Sequence, residues 1–407
     1  MANSPETSVP ADARPAVRLR PKAEVRAIRH GFPWVYADEL VLDRRTKALA
    51  PGTIVRLEDA ERRPLGAAAI TPASRIPVRV LDRDPQAVID EGWLRARLAT
   101  ALLMRATLHD APYYRLVHAE ADGLPGLVID RFGEAAVIQP NAAWAERLLP
   151  QICAALQKVT GVGTLVKNGQ GRARAAEGLD DATTLLAGAL DGPVPVPMNG
   201  AVYMADLLGG QKTGLYYDQR DNHAFAARLA RGGRVLDVFS HVGGFSLAAL
   251  AAGATHSLAI DGTAPALELA EAGAAASGLA ERFETRRADA FEALEALGAE
   301  GARFDLVVCD PPAFAPARQA LDAGLRAYER VARLAAPLVA PGGYLVLCSC
   351  SHAADLARFR NASARGIGRA GRRGQILRTG FASPDHPTLP HLAESGYLKA
   401  VTFRLDG

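Results

Sequence analysis

The residues of this chain best suited to chemistry stand at the ends of apolar runs. Phe304-Asp-Leu-Val-Val-Cys309 closes on Asp310-Pro311-Pro312, and Tyr344-Leu-Val-Leu-Cys-Ser349 closes on Cys350. A cysteine thiolate can add to carbon 6 of cytosine, which makes carbon 5 nucleophilic enough to attack an electrophilic methyl group. The two prolines fix the backbone after Asp310 and remove two N–H donors, so its carboxylate faces a cleft rigidly. It can then hold the amino edge of an extruded base, with Phe314 available to stack. For Asp310 the plain alternative is a proline turn with no function. For the cysteines it is a metal site, a disulfide or core packing. No second cysteine pair completes the usual metal-ligand set, so no metal is expected. A bridge between Cys348 and Cys350 is geometrically poor, and Cys348 reads as an ordinary buried cysteine on the face opposite Cys350.

Three more strand ends add to the set. Arg234-Val-Leu-Asp-Val-Phe-Ser-His-Val-Gly-Gly-Phe-Ser246 reads as a strand reaching Phe239, a turn through Ser240, Gly243 and Gly244, and a helix opening at Phe245. Such a turn aims backbone N–H groups at a bound cofactor. Ser257-Leu-Ala-Ile-Asp261 ends on a carboxylate that can accept from ribose hydroxyls, and Asp289 is placed to meet an exocyclic amine on the cofactor's base. The turn lacks the G-x-G-x-x-G spacing that lets a backbone approach a pyrophosphate. A cofactor with ribose and adenine but no phosphate fits better, and S-adenosylmethionine is the obvious one.

The elements that must position these residues alternate regularly. Strands expected at 235–239, 257–261, 284–289, 304–310 and 344–349 are separated by helical stretches, including 265–276, 291–297 and 324–339. That pattern predicts an α/β domain with a parallel sheet covered on both faces and a ligand crevice at the strands' carboxyl ends. Gln375-Ile-Leu-Arg378 and Tyr397 to Arg404 are expected to add an antiparallel edge. Upstream, Asp218 is placed to cap a helix from Gln219 through Leu229, while Lys212 and Arg220 bring positive charge just before the core domain.

Residues 16–84 show short β-type runs broken by Gly, Pro and Asp. Among them Phe32, Trp34 and Tyr36 stand between basic residues, where they are equally readable as base-stacking groups or as core. Residues 85–199 mix helical and strand patterns and end in the expected linker Val194-Pro-Val-Pro197. Residues 1–15 read as a disordered tail.

Composition sets the outer bounds. The 407 residues are 49% hydrophobic with a formal net charge of +3. That excess lies within residues 1–90, which hold 15 Lys/Arg against 12 Asp/Glu, and a second stretch, Arg358 to Arg378, has seven arginines and no acid. Clustered arginine favours phosphate-bearing partners. Four cysteines without a framework spacing fit a reducing, cytoplasmic location. No leader and no membrane-length apolar run is expected.

Several motifs together resemble a known family: Gly209-Gly-Gln-Lys-Thr-Gly214, Tyr217-Asp-Gln-Arg-Asp-Asn222, Phe239-Ser-x-x-Gly-Gly-Phe-Ser246, Asp310-Pro-Pro-x-Phe314, Ser349-Cys-Ser351 and His118-Ala-Glu-Ala-Asp-Gly-Leu-Pro-Gly-Leu127. The chain is similar over residues 16–407 to class I ribosomal-RNA methyltransferases with an N-terminal PUA domain. It is most like those that make 5-methylcytosine in 23S rRNA. The resemblance implies a PUA RNA-binding domain (16–84), a central α+β domain (85–199) and a Rossmann-like methyltransferase domain with a mostly parallel seven-stranded sheet (200–407). It implies S-adenosylmethionine contacts at Phe239, Ser240, Gly243, Gly244, Asp261 and Asp289, with Tyr217, Gln219 and Arg220 beside the cleft. Asp310 would hold the base at the border with the cofactor, and Cys350 would be the nucleophile. Lys212, Pro311, Pro312 and Phe314 are expected on the substrate side. Two positions depart from the pattern: His241-Val242 stands where relatives often carry Tyr-Thr, and Ala313 where some carry Lys. The expected partner is large-subunit rRNA, with no membrane and a homodimer as the assembly considered. The alternatives kept open are a different RNA target, such as guanine N7, and a non-catalytic RNA-binding or assembly factor.

Overall fold

Seven strands, most of them rich in uncharged residues, form the sheet that carries the candidate site. In chain order they are β1 (Arg234–Val238), β2 (His256–Asp261), β3 (Phe283–Arg287), β4 (Phe304–Cys309), β5 (Val339–Ser349), β6 (Gly374–Gly380) and β7 (Lys399–Leu405). The computed structural model describes residues 13–210, 213–392 and 395–406. The strand order is β3-β2-β1-β4-β5-β7-β6, with the first five strands parallel and β7 antiparallel to both of its neighbours. Val235, Leu236 and Val238 of β1 are all 0% exposed, as a parallel strand covered on both faces requires. The order reverses between β1 and β4, so a crevice opens at their carboxyl ends. The mostly parallel α/β sheet and its antiparallel edge are as the sequence predicts.

Helices α1 (Arg220–Leu229), α2 (Gly244–Ala251), α3 (Ala264–Ala276), α4 (Ala290–Ala299), α5 (Leu321–Ala335) and α6 (Leu356–Arg369) cover the sheet. The core on one face packs Leu258, Leu294, Leu297, Tyr328, Val331 and Phe359 against Val307 and Leu345. Each such leucine stabilises the fold by roughly 2 kcal/mol through burial.

Two local expectations are corrected. Val194-Pro-Val-Pro197 is not a linker but part of a strand, Val194–Met198, paired with Ala201–Ala205. Val196 and Met198 point inward while Pro195 and Pro197 are exposed, and a two-stranded hairpin tolerates residues that cannot donate to a ladder. Asp218 does not cap α1. The α1 N-cap is Gln219, preceded by a short 3-10 turn over Tyr217–Gln219, and Asp218 Oδ2 instead accepts the Tyr397 hydroxyl at 2.5 Å.

Contacts divide the described residues into two units, one of residues 13–191, Thr213, 387–392 and Ser395, the other of 192–210, 214–386 and 396–406. The first unit holds two five-stranded sheets. One runs Ala16–Arg18, Thr53–Glu58, Pro64–Ile70, Val78–Asp82, Trp34–Val35, and the other Thr184–Ala187, Thr164–Lys167, Ala135–Pro140, Leu127–Phe132, Tyr113–His118. They share a core: Ala67, Ala69 and Leu81 of the first sheet pack with Leu94, Leu98, Trp144 and Ile152 of the second layer. The Asp90 carboxylate caps the helix Glu91–Leu108 by accepting from Trp93 N at 2.8 Å. None of Phe32, Trp34 and Tyr36 is buried. Their rings lie 6.3–6.4 Å apart, with the Arg79 guanidinium 5.9 Å over Trp34 and Trp34 Nε1 donating to Glu120 at 2.9 Å. Phe32 and Trp34 are half-buried and Tyr36 is exposed, so the cluster lies at the border of the core rather than inside it. Among the described residues, no helix is long and apolar enough to cross a membrane.

Candidate active site

β1 delivers its chain into a strained turn. Phe239 (φ 64°) and His241 (φ 50°) both adopt left-handed backbone, which non-glycine residues rarely do. Gly243 (φ 76°) completes the turn, and α2 opens at Gly244 rather than at Phe245. A Cβ on Gly244 would stand 2.7 Å from the His223 ring, so that position has no room for a side chain. Asp261, at the end of β2, braces the turn. Its Oδ2 accepts from His241 N at 2.9 Å, and its Oδ1 accepts from the Thr263 N–H and hydroxyl at 2.9 and 2.8 Å. Oδ2 keeps a lone pair for a further hydrogen bond, so the bracing is compatible with a ribose contact. Asp289 caps α4, its Oδ1 accepting from the Phe291 and Glu292 N–H groups at 2.9 and 3.1 Å, and it is exposed at the end of β3.

The 3-10 turn before α1 reaches the β4 end. Gln219 Nε2 donates to Asp310 Oδ2 at 2.8 Å. The Gln219 amide is itself oriented by Asn222, whose Nδ2 donates to Gln219 Oε1 at 2.7 Å and to Phe381 O at 3.1 Å. Gly380 leaves room for this relay, since a Cβ there would collide with the Asn222 side chain. Tyr217 is 1% exposed and lies in the core with the Arg220 guanidinium 5.3 Å over its ring. Its neighbour Tyr216 stands among the polar groups instead. Burial pushes the Tyr216 hydroxyl up, and Asp218, Asp310, Cys350 and Asp261 push the same way, while its ring meets His241 at 4.9 Å. Pro311 is buried and Pro312 exposed. Phe314 packs against Tyr328, Phe291 and Phe239 at 5.0, 6.2 and 6.4 Å, which makes it a wedge on the core as much as a stacking platform. Lys212 lies outside the described residues.

β5 pairs with β4 with Leu347 beside Cys309, so Cys348 is alongside Asp310 and Cys350 lies one pleat further on. Cys348 is buried, as expected, on the face of β5 opposite to that of Ser349, and Cys350 follows the last residue of the strand. Burial pushes its thiol up, Asp310 adds to this, and a hydrogen bond with Gln219 opposes it, which places Cys348 on the cleft side. The residue that turns away is Ser349, whose hydroxyl donates to Tyr328 at 2.9 Å. Cys350 is half-buried, and none of the four cysteines is in a disulfide. Among the described residues, no group of three or more His, Cys, Asp or Glu could hold a metal.

Two buried polar atoms at the β1 end lack a protein partner: Ser240 Oγ and Asp237 Oδ1. Such atoms are costly unless a ligand or water satisfies them. S-adenosylmethionine offers an ammonium, two ribose hydroxyls and an adenine amine, the donors that these acceptors, Asp261 and Asp289 can receive. Burial pushes the Asp237 carboxyl up to about 6, although the Ser246 N–H and hydroxyl, both at 3.0 Å from Oδ2, pull the other way. An acid held above its ordinary value binds a proton on folding. Its contribution to stability is complete below about pH 4 and is lost as pH rises through about 6. Asp237→Asn keeps an acceptor for Ser246 and cannot ionise. In urea unfolding of the cofactor-free protein, its stability relative to the wild type should improve by up to about 3 kcal/mol between pH 4 and 7. A gap that stays constant with pH would show an ordinary carboxylate.

The structure thus brings together Phe239, Ser240, Gly243, Gly244 and Asp261 on one wall and Gln219, Asp310 and Cys350 on the other. Sequence reasoning missed Tyr216, Asn222 and Asp237. Asn222 was legible as part of the polar string 217–222, whereas nothing local separates Tyr216 from Tyr217.

Comparison with known proteins agrees with this geometry. Residues 17–83 match the PUA-like domain family, and residues 139–403 match the S-adenosylmethionine-dependent methyltransferase family. The chain is 36% identical to a ribosomal RNA large subunit methyltransferase of Deinococcus radiodurans over 412 aligned residues, covering 98% of this chain and all of that one. It is 32% identical to the ribosomal RNA large subunit methyltransferase I of Cronobacter sakazakii, covering 93% and 96% of the two chains. A Streptococcus mutans protein described as a SAM-dependent methyltransferase shares the fold, with a TM-score of 0.80, 18% identity and coverage of 96% and 100%. A methyltransferase complexed with SAH superposes equally well. The S-adenosylmethionine-binding fold, the PUA-like module and the full-length relatives all point the same way: the chain belongs to the PUA-containing large-subunit ribosomal RNA methyltransferases, and its cofactor is S-adenosylmethionine.

Proposed function

We propose that this methyltransferase modifies carbon 5 of a cytosine in large-subunit ribosomal RNA, with Cys350 as the covalent nucleophile. The observation that carries the reading is a half-buried cysteine, outside any disulfide, just past the end of the strand that neighbours Asp310. A methyl transfer to a ring nitrogen uses a lone pair and has no need of a thiol there.

S-adenosylmethionine supplies the electrophilic methyl when bound. Phe239, Ser240, Gly243, Gly244 and Asp261 would hold it, with Asp289 at the adenine. Asp310, oriented by Gln219, holds the amino edge of an extruded cytosine. The Cys350 thiolate would form a bond to carbon 6, and carbon 5 would take the methyl as the methyl–sulfonium bond breaks, the electron pair staying on the departing thioether sulfur. Loss of the carbon 5 proton then breaks the C6–S bond and returns the thiolate. The relatives' names, which specify large-subunit rRNA, and the exposed Tyr36 beside the half-buried Phe32 and Trp34 in a PUA-like module support an RNA substrate.

Mass spectrometry of nucleosides from large-subunit rRNA treated with the purified enzyme and labelled cofactor is the direct test. Label in 5-methylcytidine is expected; label in 7-methylguanosine with none in 5-methylcytidine would overturn the assignment.

A further inference from the structure

We infer that Lys399 is the positioning residue for Cys350, fixing the segment that follows the nucleophile and presenting an ammonium to its thiolate. The inference rests on the reading of Cys350 as nucleophile given above. Lys399 opens β7 and stands opposite Ser349, the residue before Cys350, in the antiparallel register. Lysines are seldom buried, yet this one is only 5% exposed. Its Nζ donates to Ser351 O at 2.7 Å and Ala354 O at 2.8 Å. Both acceptors lie in the turn between Cys350 and α6, and both are neutral carbonyls, so the charge of Lys399 is not cancelled by them.

The far side of the same turn is held independently. Ser351 Oγ accepts from Ala315 N at 2.9 Å and shares a 2.8 Å hydrogen bond with the Tyr328 hydroxyl, which also receives Ser349 Oγ. Cys350 therefore sits between two anchored serines, locked through α5 on one side and through Lys399 on the other.

The charges around this pair have opposite tendencies. Burial pushes Lys399 down, while Cys350 and then Asp355 push it up. Attraction between two groups is mutual, so an ammonium that the thiolate stabilises also stabilises the thiolate. The other groups bearing on Cys350 are the hydroxyls of Tyr328 from α5 and Tyr216 from the turn before α1, both pushed up by burial and so kept neutral. Asp310, on the neighbouring strand end, and Asp355, capping α6, oppose the thiolate. Of these groups Lys399 is the cation.

The test is alkylation of the full-length enzyme by iodoacetamide from pH 5 to 10, followed peptide by peptide. Cys153 is an internal control, because burial pushes its thiol up to about 11. The wild-type Cys350 midpoint is expected below the free-thiol value of about 8.5. Lys399→Met should raise it by about one pH unit and slow alkylation at pH 7 roughly tenfold. Methyl transfer should lose kcat with little change in the KM for RNA, and Lys399→Arg should restore part of it. A wild-type midpoint at or above the free-thiol value, or one that Lys399→Met leaves in place, would overturn the inference. The wild-type midpoint decides even if the variant does not fold. Alkylation does not depend on the RNA product: a low midpoint that moves with Lys399, found without 5-methylcytidine, would sink the cytosine assignment alone.

Discussion

Cys350→Ala is expected to retain S-adenosylmethionine binding and to lose methyl transfer by a factor on the order of 10⁴ or more, the scale set by removing the nucleophile of a covalent mechanism. The separation follows from placement. The turn that would hold the cofactor is braced by Asp261, which accepts from His241 N and from the Thr263 N–H and hydroxyl on the β2 side of the cleft. Calorimetry with S-adenosylmethionine and a filter assay for methylated RNA measure the two properties separately. Retention of wild-type activity by the variant would rule out the thiol addition. Cys350→Ser should behave like the alanine variant, since a hydroxyl is far less ionised at neutral pH than a thiol.

The second large effect has the opposite kinetic form. Asp261→Ala removes both the acceptors that brace His241 N and the Thr263 N–H and hydroxyl, and the carboxylate assigned to the ribose. Hydrogen bonds to a charged group contribute about 1.5–3 kcal/mol each. Cofactor affinity should therefore fall on the order of a hundredfold, with much of kcat recovered at saturating S-adenosylmethionine. Equal affinity in the variant and the wild type would place the ribose elsewhere. Together the two variants separate holding the donor from performing the transfer.

Much of this site could be read from local sequence because parallel sheets write themselves plainly. A strand buried on both faces is an uncharged run, and the polar residue that ends it lies at the ligand edge. Asp261, Asp310 and Cys350 were found in this way. What escaped depends on partners far along the chain. Asp218 looks like a helix cap because the helix is adjacent, but the Tyr397 hydroxyl that takes its carboxylate is 179 residues away. Lys399 looks like an ordinary strand lysine until the β5–β7 register sets it against Ser349. The hairpin at 194–205 hid behind its prolines, whose exposed positions make them compatible with a two-stranded ribbon.

The position of β7 affects how the catalytic unit is assembled. It follows every other strand of the sheet in chain order, yet it lies between β5 and β6. Until it inserts, β5 keeps an open apolar edge and β6 has no neighbour to pair with, the condition under which nascent sheets make wrong pairings. Closure of the sheet and delivery of Lys399 to the turn after Cys350 are then a single event. The thiol gains its cation only when the last gap in the sheet is filled, so an incompletely folded chain carries a cysteine that has not yet been made reactive.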